Sequence, residues 1–174
     1  VQVSGEEASQ TLPAVQLGGQ PVVISLGDIN GDGFGDAIVS VRDRVPDGGG
    51  FRNFARIAFG NASGGLEANF DFDDDPATSD APINLELPEP VLFGGSDHRS
   101  IISAAGDVDG DSRADLLITG PNETYLVYGA AAFASSLVSL TELIGQGLAV
   151  RLPGGFLTGI GDFNGDLRND IGGA

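Results

Sequence analysis

The chain contains no cysteine, methionine or tryptophan, and all eight of its basic residues are arginine. Without cysteine there is no disulfide framework, no thiol nucleophile and no zinc–thiolate site, although the redox compartment stays open. His98 is the only histidine. A Ser-His-Asp triad needs spatial rather than sequential neighbours, so Ser96, Asp97, His98 and Ser100 read as a polar turn. Glycine clusters such as Gly18-Gly19 and Gly48-Gly49-Gly50 are turn makers, because no Gly-x-x-x-x-Gly-Lys phosphate loop is present. No run reaches the roughly 18 apolar residues that a membrane helix needs. The sequence opens at Val1 without an apolar leader, which reads as a processed or partial product. Positive charge is scarce as well: 25 acidic residues leave a net charge of −17. That balance argues against nucleic acid and anionic membranes as partners.

What the chain does have is a nine-residue frame, present three times. Asp28-Ile-Asn-Gly-Asp-Gly-Phe-Gly-Asp36, Asp107-Val-Asp-Gly-Asp-Ser-Arg-Ala-Asp115 and Asp162-Phe-Asn-Gly-Asp-Leu-Arg-Asn-Asp170 share Asp or Asn at positions 1, 3, 5 and 9. Each has Gly at position 4 and another Gly (Gly27, Gly106, Gly161) just before position 1. Closely spaced oxygen donors on a tight loop suit Ca²⁺, a hard cation that takes six to eight oxygens. Glycine supplies the sharp bends at little steric cost. The expected ligands are Asp28, Asn30, Asp32, Asp36 and the Phe34 carbonyl in the first loop. In the second they are Asp107, Asp109, Asp111, Asp115 and the Arg113 carbonyl. In the third they are Asp162, Asn164, Asp166, Asp170 and the Arg168 carbonyl. The frames hold ten carboxylates, which three Ca²⁺ would largely neutralise. Asx-rich surface turns form without metal too, but three copies of one frame exceed what turn chemistry alone requires.

An EF-hand shares the opening of the frame but needs Gly at position 6 and a bidentate Glu at position 12, between helices. Position 12 here is Val39, Ile118 or Gly173, and position 6 is Gly only in the first copy. The flanks Val22–Leu26 and Ala37–Val41, and Ile101–Ala104 and Leu116–Thr119, are short, apolar and strand-like. The frames therefore sit between strands, and an EF-hand is excluded.

Further strands are expected at Asn53–Phe59, Ile83–Leu87, Val91–Phe93, Thr124–Tyr128, Leu148–Leu152, Phe156–Gly159 and Ile171–Ala174. Val1–Val3 and Ala14–Leu17 are weaker candidates. Arg42–Gly50 reads as a polar loop, and Ala130–Leu143 as a short helix or wide turn. The acidic run Phe70–Asp75 reads as a solvated loop in preference to a further cation site. The frames recur at offsets of 79 and 55 residues, the spacing of four-stranded propeller blades.

These residues resemble FG-GAP repeats, the blades of integrin-α-type β-propellers and their bacterial relatives. Phe93-Gly94 is similar to the "FG" element, Thr119-Gly120-Pro121 to the "GAP" element, and Tyr125-Leu-Val-Tyr-Gly129 to the aromatic strand ending in Gly. Ala58-Phe59-Gly60 is the counterpart in the first repeat, and Ile171–Ala174 resembles a third "GAP". The resemblance implies an all-β, single-domain chain of 174 residues. It would hold two full blades (about 20–90 and 91–153) and a partial third (154–174), with residues 1–19 available to complete it. A β-sandwich with calcium-binding turns is the alternative. The implied function is a non-enzymatic, calcium-binding, extracellular module for adhesion or assembly, with three Ca²⁺ sites. Its partners would be a protein or glycan ligand, or copies of itself joined through open blade edges. A structural subunit of an extracellular filament or matrix, or an accessory domain of a secreted hydrolase, are the alternatives.

Overall fold

The computed structural model describes residues 23–44, 51–64, 83–86, 101–119, 123–131, 137–153 and 157–173. Val1–Val3, Ala14–Leu17, Phe70–Asp75, Phe93-Gly94, His98 and Gly120-Pro121 lie outside these residues. The chain is all-β. Strands β1 (Val23–Gly27), β2 (Asp36–Arg44), β3 (Phe51–Ala58) and β4 (Ile83–Glu86) form an antiparallel meander. A second meander begins with β5 (Ile101–Gly106), β6 (Asp115–Thr119) and β7 (Glu123–Val127). After β8 (Leu137–Ser139) and the short helix α1 (Leu140–Gly145), β9 (Ala149–Pro153) completes it by pairing with β7. Finally β10 (Leu157–Gly161) pairs with β11 (Asp170–Gly173).

Each nine-residue frame thus joins the first and second strands of a sheet, as expected. The first strands are neighbours: β5 lies against β1 on one side and β10 on the other. Sheets that fan out from adjacent first strands are propeller blades, whereas a sandwich stacks two faces. None of the sheets closes on itself among the described residues.

The apolar core follows from this fan. Asp115-Leu-Leu-Ile-Thr119 is buried at every position, the pattern of a strand covered on both faces. Leu116 and Ile118 join Leu26, Ile29, Ile38, Ile57, Leu85 and Val127 in a cluster between the first two sheets. Leu117 points the other way, into a smaller cluster with Ala105, Leu126, Val108 and Ile171 between the second sheet and the β10–β11 hairpin.

Two local expectations need correction. Within Ala130–Leu143, residues Leu137–Ser139 are a strand that pairs in parallel with β4 of the first sheet. Among the described residues, helix spans Leu140–Gly145. Ser139 stops the strand and starts the helix: its hydroxyl accepts from the Glu142 amide (3.2 Å), while Glu142 accepts from the Ser139 amide (2.8 Å). This reciprocal capping box satisfies donors that a helix start leaves free. The polar character of Arg42–Gly50 also misleads, because β2 continues to Arg44, which pairs with Phe51.

The double-sided burial of β6 sets a clear expectation. Leu116→Ala lowers unfolding free energy by about 2–5 kcal/mol, measured by urea titration. Leu167→Ala, at a side chain 89% exposed, changes it by less than about 0.5 kcal/mol.

Candidate metal centre

The three loops have one conformation, and their glycines explain why. The residue before position 1 and the residue at position 4 take positive φ in all three: Gly27 and Gly31, Gly106 and Gly110, Gly161 and Gly165. This left-handed backbone is open to glycine and strained for other residues. Position 6 is also left-handed, with Gly33 in the first loop but Ser112 (φ 72) and Leu167 (φ 70) in the others. At Gly27, Gly106 and Gly161 the hairpin register also slips by one residue. This bulge leaves one extra residue on the first strand of each pair.

The position-1 aspartate organises each loop. In the second, Asp107 Oδ1 accepts from the amides of Gly110 (2.7 Å) and Asp111 (3.0 Å), and Oδ2 from Ser112 (2.9 Å). Asp28 and Asp162 repeat this set with Gly31, Asp32 and Gly33, and with Gly165, Asp166 and Leu167. Position 3 accepts from the position-5 amide through Asn30, Asp109 and Asn164. Position 5 accepts from the position-7 amide, linking Asp32 to Phe34, Asp111 to Arg113 and Asp166 to Arg168.

Position 9 ties the loop to the sheet. Asp115 is fully buried; its Oδ2 accepts from Val108 and its Oδ1 from Gly129, both at 2.8 Å. Asp36 does the same with Ile29 and Gly60. Gly60 and Gly129, two residues beyond the end of the third strand, are functional positions that the frame alone does not reveal. Their signal was the aromatic-Gly ending of that strand. A Cβ on Gly129 would stand 2.6 Å from the Ala114 carbonyl, and one on Gly60 would collide with the Gly35 carbonyl. Asp170 differs: it accepts from Phe163 and Asn164, with the Asn164 side-chain amide 3.4 Å from its Oδ1.

In the second loop Asp107, Asp109 and Asp115 bring ligand atoms within 4.8 Å of one another. Asp111 is instead ion-paired with Arg113 at 2.5 Å. In the first and third loops the Asn30 and Asn164 side-chain amides donate to Asp32 and Asp166.

Burial pushes the Asp115 carboxyl up to about 6, despite the opposing amides of Gly129 and Val108, and raises Asp36 for the same first reason. The folded state therefore binds the Asp115 proton more tightly than the unfolded chain, whose carboxyl titrates near 3.9. Where the native state binds more protons, stability falls as pH rises. In chelator, the contribution of Asp115 is thus greatest below about pH 4 and is lost as pH rises to about 6. A carboxyl ¹³C titration of metal-free protein is expected to show Asp115 with a midpoint of about 6 and Asp36 displaced upward. An ordinary midpoint for both would show that burial does not control them.

Removing the buried carboxylate strands two buried amides. Asp115→Ala is expected to cost about 2–4 kcal/mol in chelator, against under about 1 kcal/mol for the partly exposed Asp170→Ala. Equal losses in denaturant titrations would contradict this division.

No curated protein matches the chain. The family model of the FG-GAP repeat matches residues 101–137, which include β5, the second loop, β6 and β7. Residues 101–137 are thus an FG-GAP repeat, with the second nine-residue frame as the loop between its first two strands.

Proposed function

We propose that the chain is a calcium-binding, non-enzymatic extracellular module for adhesion or assembly. The observation that carries this reading is the convergence of Asp107, Asp109 and Asp115 on one point of a loop that recurs three times. The donor set fits the ion, because every candidate ligand is oxygen, as a hard cation prefers. Asp107 already receives three amide bonds, and these fix its carboxylate in place for a cation. Asp111 would turn from Arg113 toward the ion, and the Arg113 carbonyl would supply a backbone ligand. The first loop would use Asp28, Asn30, Asp32, Asp36 and the Phe34 carbonyl. The third would use Asp162, Asn164, Asp166, Asp170 and the Arg168 carbonyl. Many protein oxygens on a flexible loop favour Ca²⁺ over Mg²⁺, which keeps several of its waters.

The bound ion would stabilise the loops against like-charge repulsion at short range. FG-GAP repeats are typically non-enzymatic structural modules of extracellular proteins, and residues 101–137 are one such repeat. Among the described residues no helix is long and apolar enough to cross a membrane. A protein or glycan ligand would be the partner on the adhesive reading.

Calcium at a hundredfold excess over Kd would stabilise by about 2.7 kcal/mol per site. Excess EGTA is therefore expected to lower the melting temperature markedly, with calcium restoring it and equimolar magnesium doing so less well. A melting curve indifferent to EGTA would overturn the cation reading.

A further inference from the structure

Both oxygens of the position-5 aspartate are occupied in every loop, by donors of the same loop. Oδ1 accepts from the position-7 amide in all three, at 2.8 Å in the first and 2.9 Å in the others. Oδ2 is where the loops differ. In the first and third it accepts from the side-chain amide at position 3, Asn30 to Asp32 (3.0 Å) and Asn164 to Asp166 (3.1 Å). In the second, position 3 is Asp109, and an ionised carboxylate only accepts. There Oδ2 of Asp111 accepts from Nη1 of Arg113 instead (2.5 Å). The added positive charge stands where the added carboxylate does, since the second frame has four aspartates and the others three.

An arginine at position 7 does not by itself produce this pair. Arg168 holds that position in the third loop, where Asn164 already serves Asp166, and Arg168 makes no ion pair among the described residues. Its side chain lies against the second loop, where a Cβ on Gly110 would stand 2.9 Å from Nε and 3.3 Å from Nη2. Arg113 lies against the first loop in the same manner: a Cβ on Gly31 would stand 2.9 Å from Nε and 3.5 Å from Cδ and Cγ. Both stems thus rest on the position-4 glycine of the preceding loop. Of the two, Arg113 alone bonds an aspartate of its own loop.

The Arg113–Asp111 pair is also imperfect. Nε of Arg113 is out of water and has no acceptor among the described residues, and a buried donor left unsatisfied is costly. Both side chains are 32% exposed, and ion pairs open to solvent contribute little. The two effects oppose each other, which leaves a contact that a divalent cation can displace.

We propose that Arg113 is the internal counter-cation of the second loop. It occupies Oδ2 of Asp111 while the loop is ion-free, leaves it when calcium binds, and by that exchange lowers the calcium affinity of this loop. Only the Nη1 bond has to break, because Oδ1 accepts from the Arg113 amide independently. Asp32 and Asp166 give up a neutral amide in place of a guanidinium, so the loops differ in what Oδ2 must release. The exchange rests on the calcium reading of the loops; the occupation of Asp111 does not.

NMR of the intact, isotope-labelled chain tests both parts. In EGTA at low temperature, the Arg113 Nη signals, assigned by their loss in Arg113→Gln, are expected to be displaced from those of an unpaired arginine. Calcium is expected to move them to the unpaired position. Asp109→Asn supplies the amide that Asn30 and Asn164 supply, and is expected to do the same without calcium. In a calcium titration followed at the Gly110 amide, Arg113→Gln is expected to tighten the Kd about two- to fivefold. Arg113→Lys, which keeps the charge, and Arg151→Gln, which removes a 66% exposed arginine of β9, are expected to stay at the wild-type value. Arg113 signals that calcium leaves in place would overturn the proposal. So would an Arg113→Gln affinity equal to or weaker than wild type in a chain that binds calcium, and the cation reading would then stand. A wild-type chain with no calcium response at all overturns that reading and the exchange with it.

Discussion

The fold hangs on the aspartate at frame position 9. Asp36 and Asp115 are carboxylates taken almost fully out of water, a costly placement unless each oxygen is satisfied. Each is satisfied in the same way, by one amide from its own loop and one from the glycine two residues beyond the third strand of the blade. The side chain therefore joins loop, second strand and third strand at one point. It also fixes the neighbouring carboxylates of the loop relative to the sheet. Charge-assisted hydrogen bonds of this kind are the stronger ones, and they anchor the first two loops to their sheets.

A second constraint propagates this local solution along the chain. The glycine bulge before each loop turns an extra side chain out of the hairpin, and position 2 accompanies it. The amide at position 8 of the next loop then returns to the carbonyl at position 1. Blade packing and loop geometry are consequently one device. The glycines and aspartates that shape each acidic loop thus also hold the carbonyl to which the next loop is bonded.

The sequence makes much of this legible, for identifiable reasons. Asp28, Asp107 and Asp162, together with the glycines at positions 0 and 4, have roles confined to the nine-residue frame, and local chemistry can be read locally. The first two strands of each sheet follow from short apolar flanks. Gly60 and Gly129 are harder to read, because they lie 24 and 14 residues beyond the aspartates they serve, a separation with no fixed rule. The β8 strand is hidden for a different reason. Leu137–Ser139 is three residues long, and its parallel partner β4 belongs to the preceding sheet, so neither length nor alternation marks it. The expected strands at Val1–Val3 and Ala14–Leu17 fall outside the described residues and stay an expectation.

The whole account leans on reading the three frames as cation loops, and the most direct measurement is the number of ions bound. Equilibrium dialysis of the intact chain against radioactive calcium, in a magnesium-containing buffer, counts them without reference to stability or activity. The account predicts saturation at three calcium ions per chain, one for each frame, with one lost on Asp107→Asn. A chain that binds none at millimolar free calcium would contradict it, and would leave the frames as hydrogen-bonded turns that hold blades together without an ion.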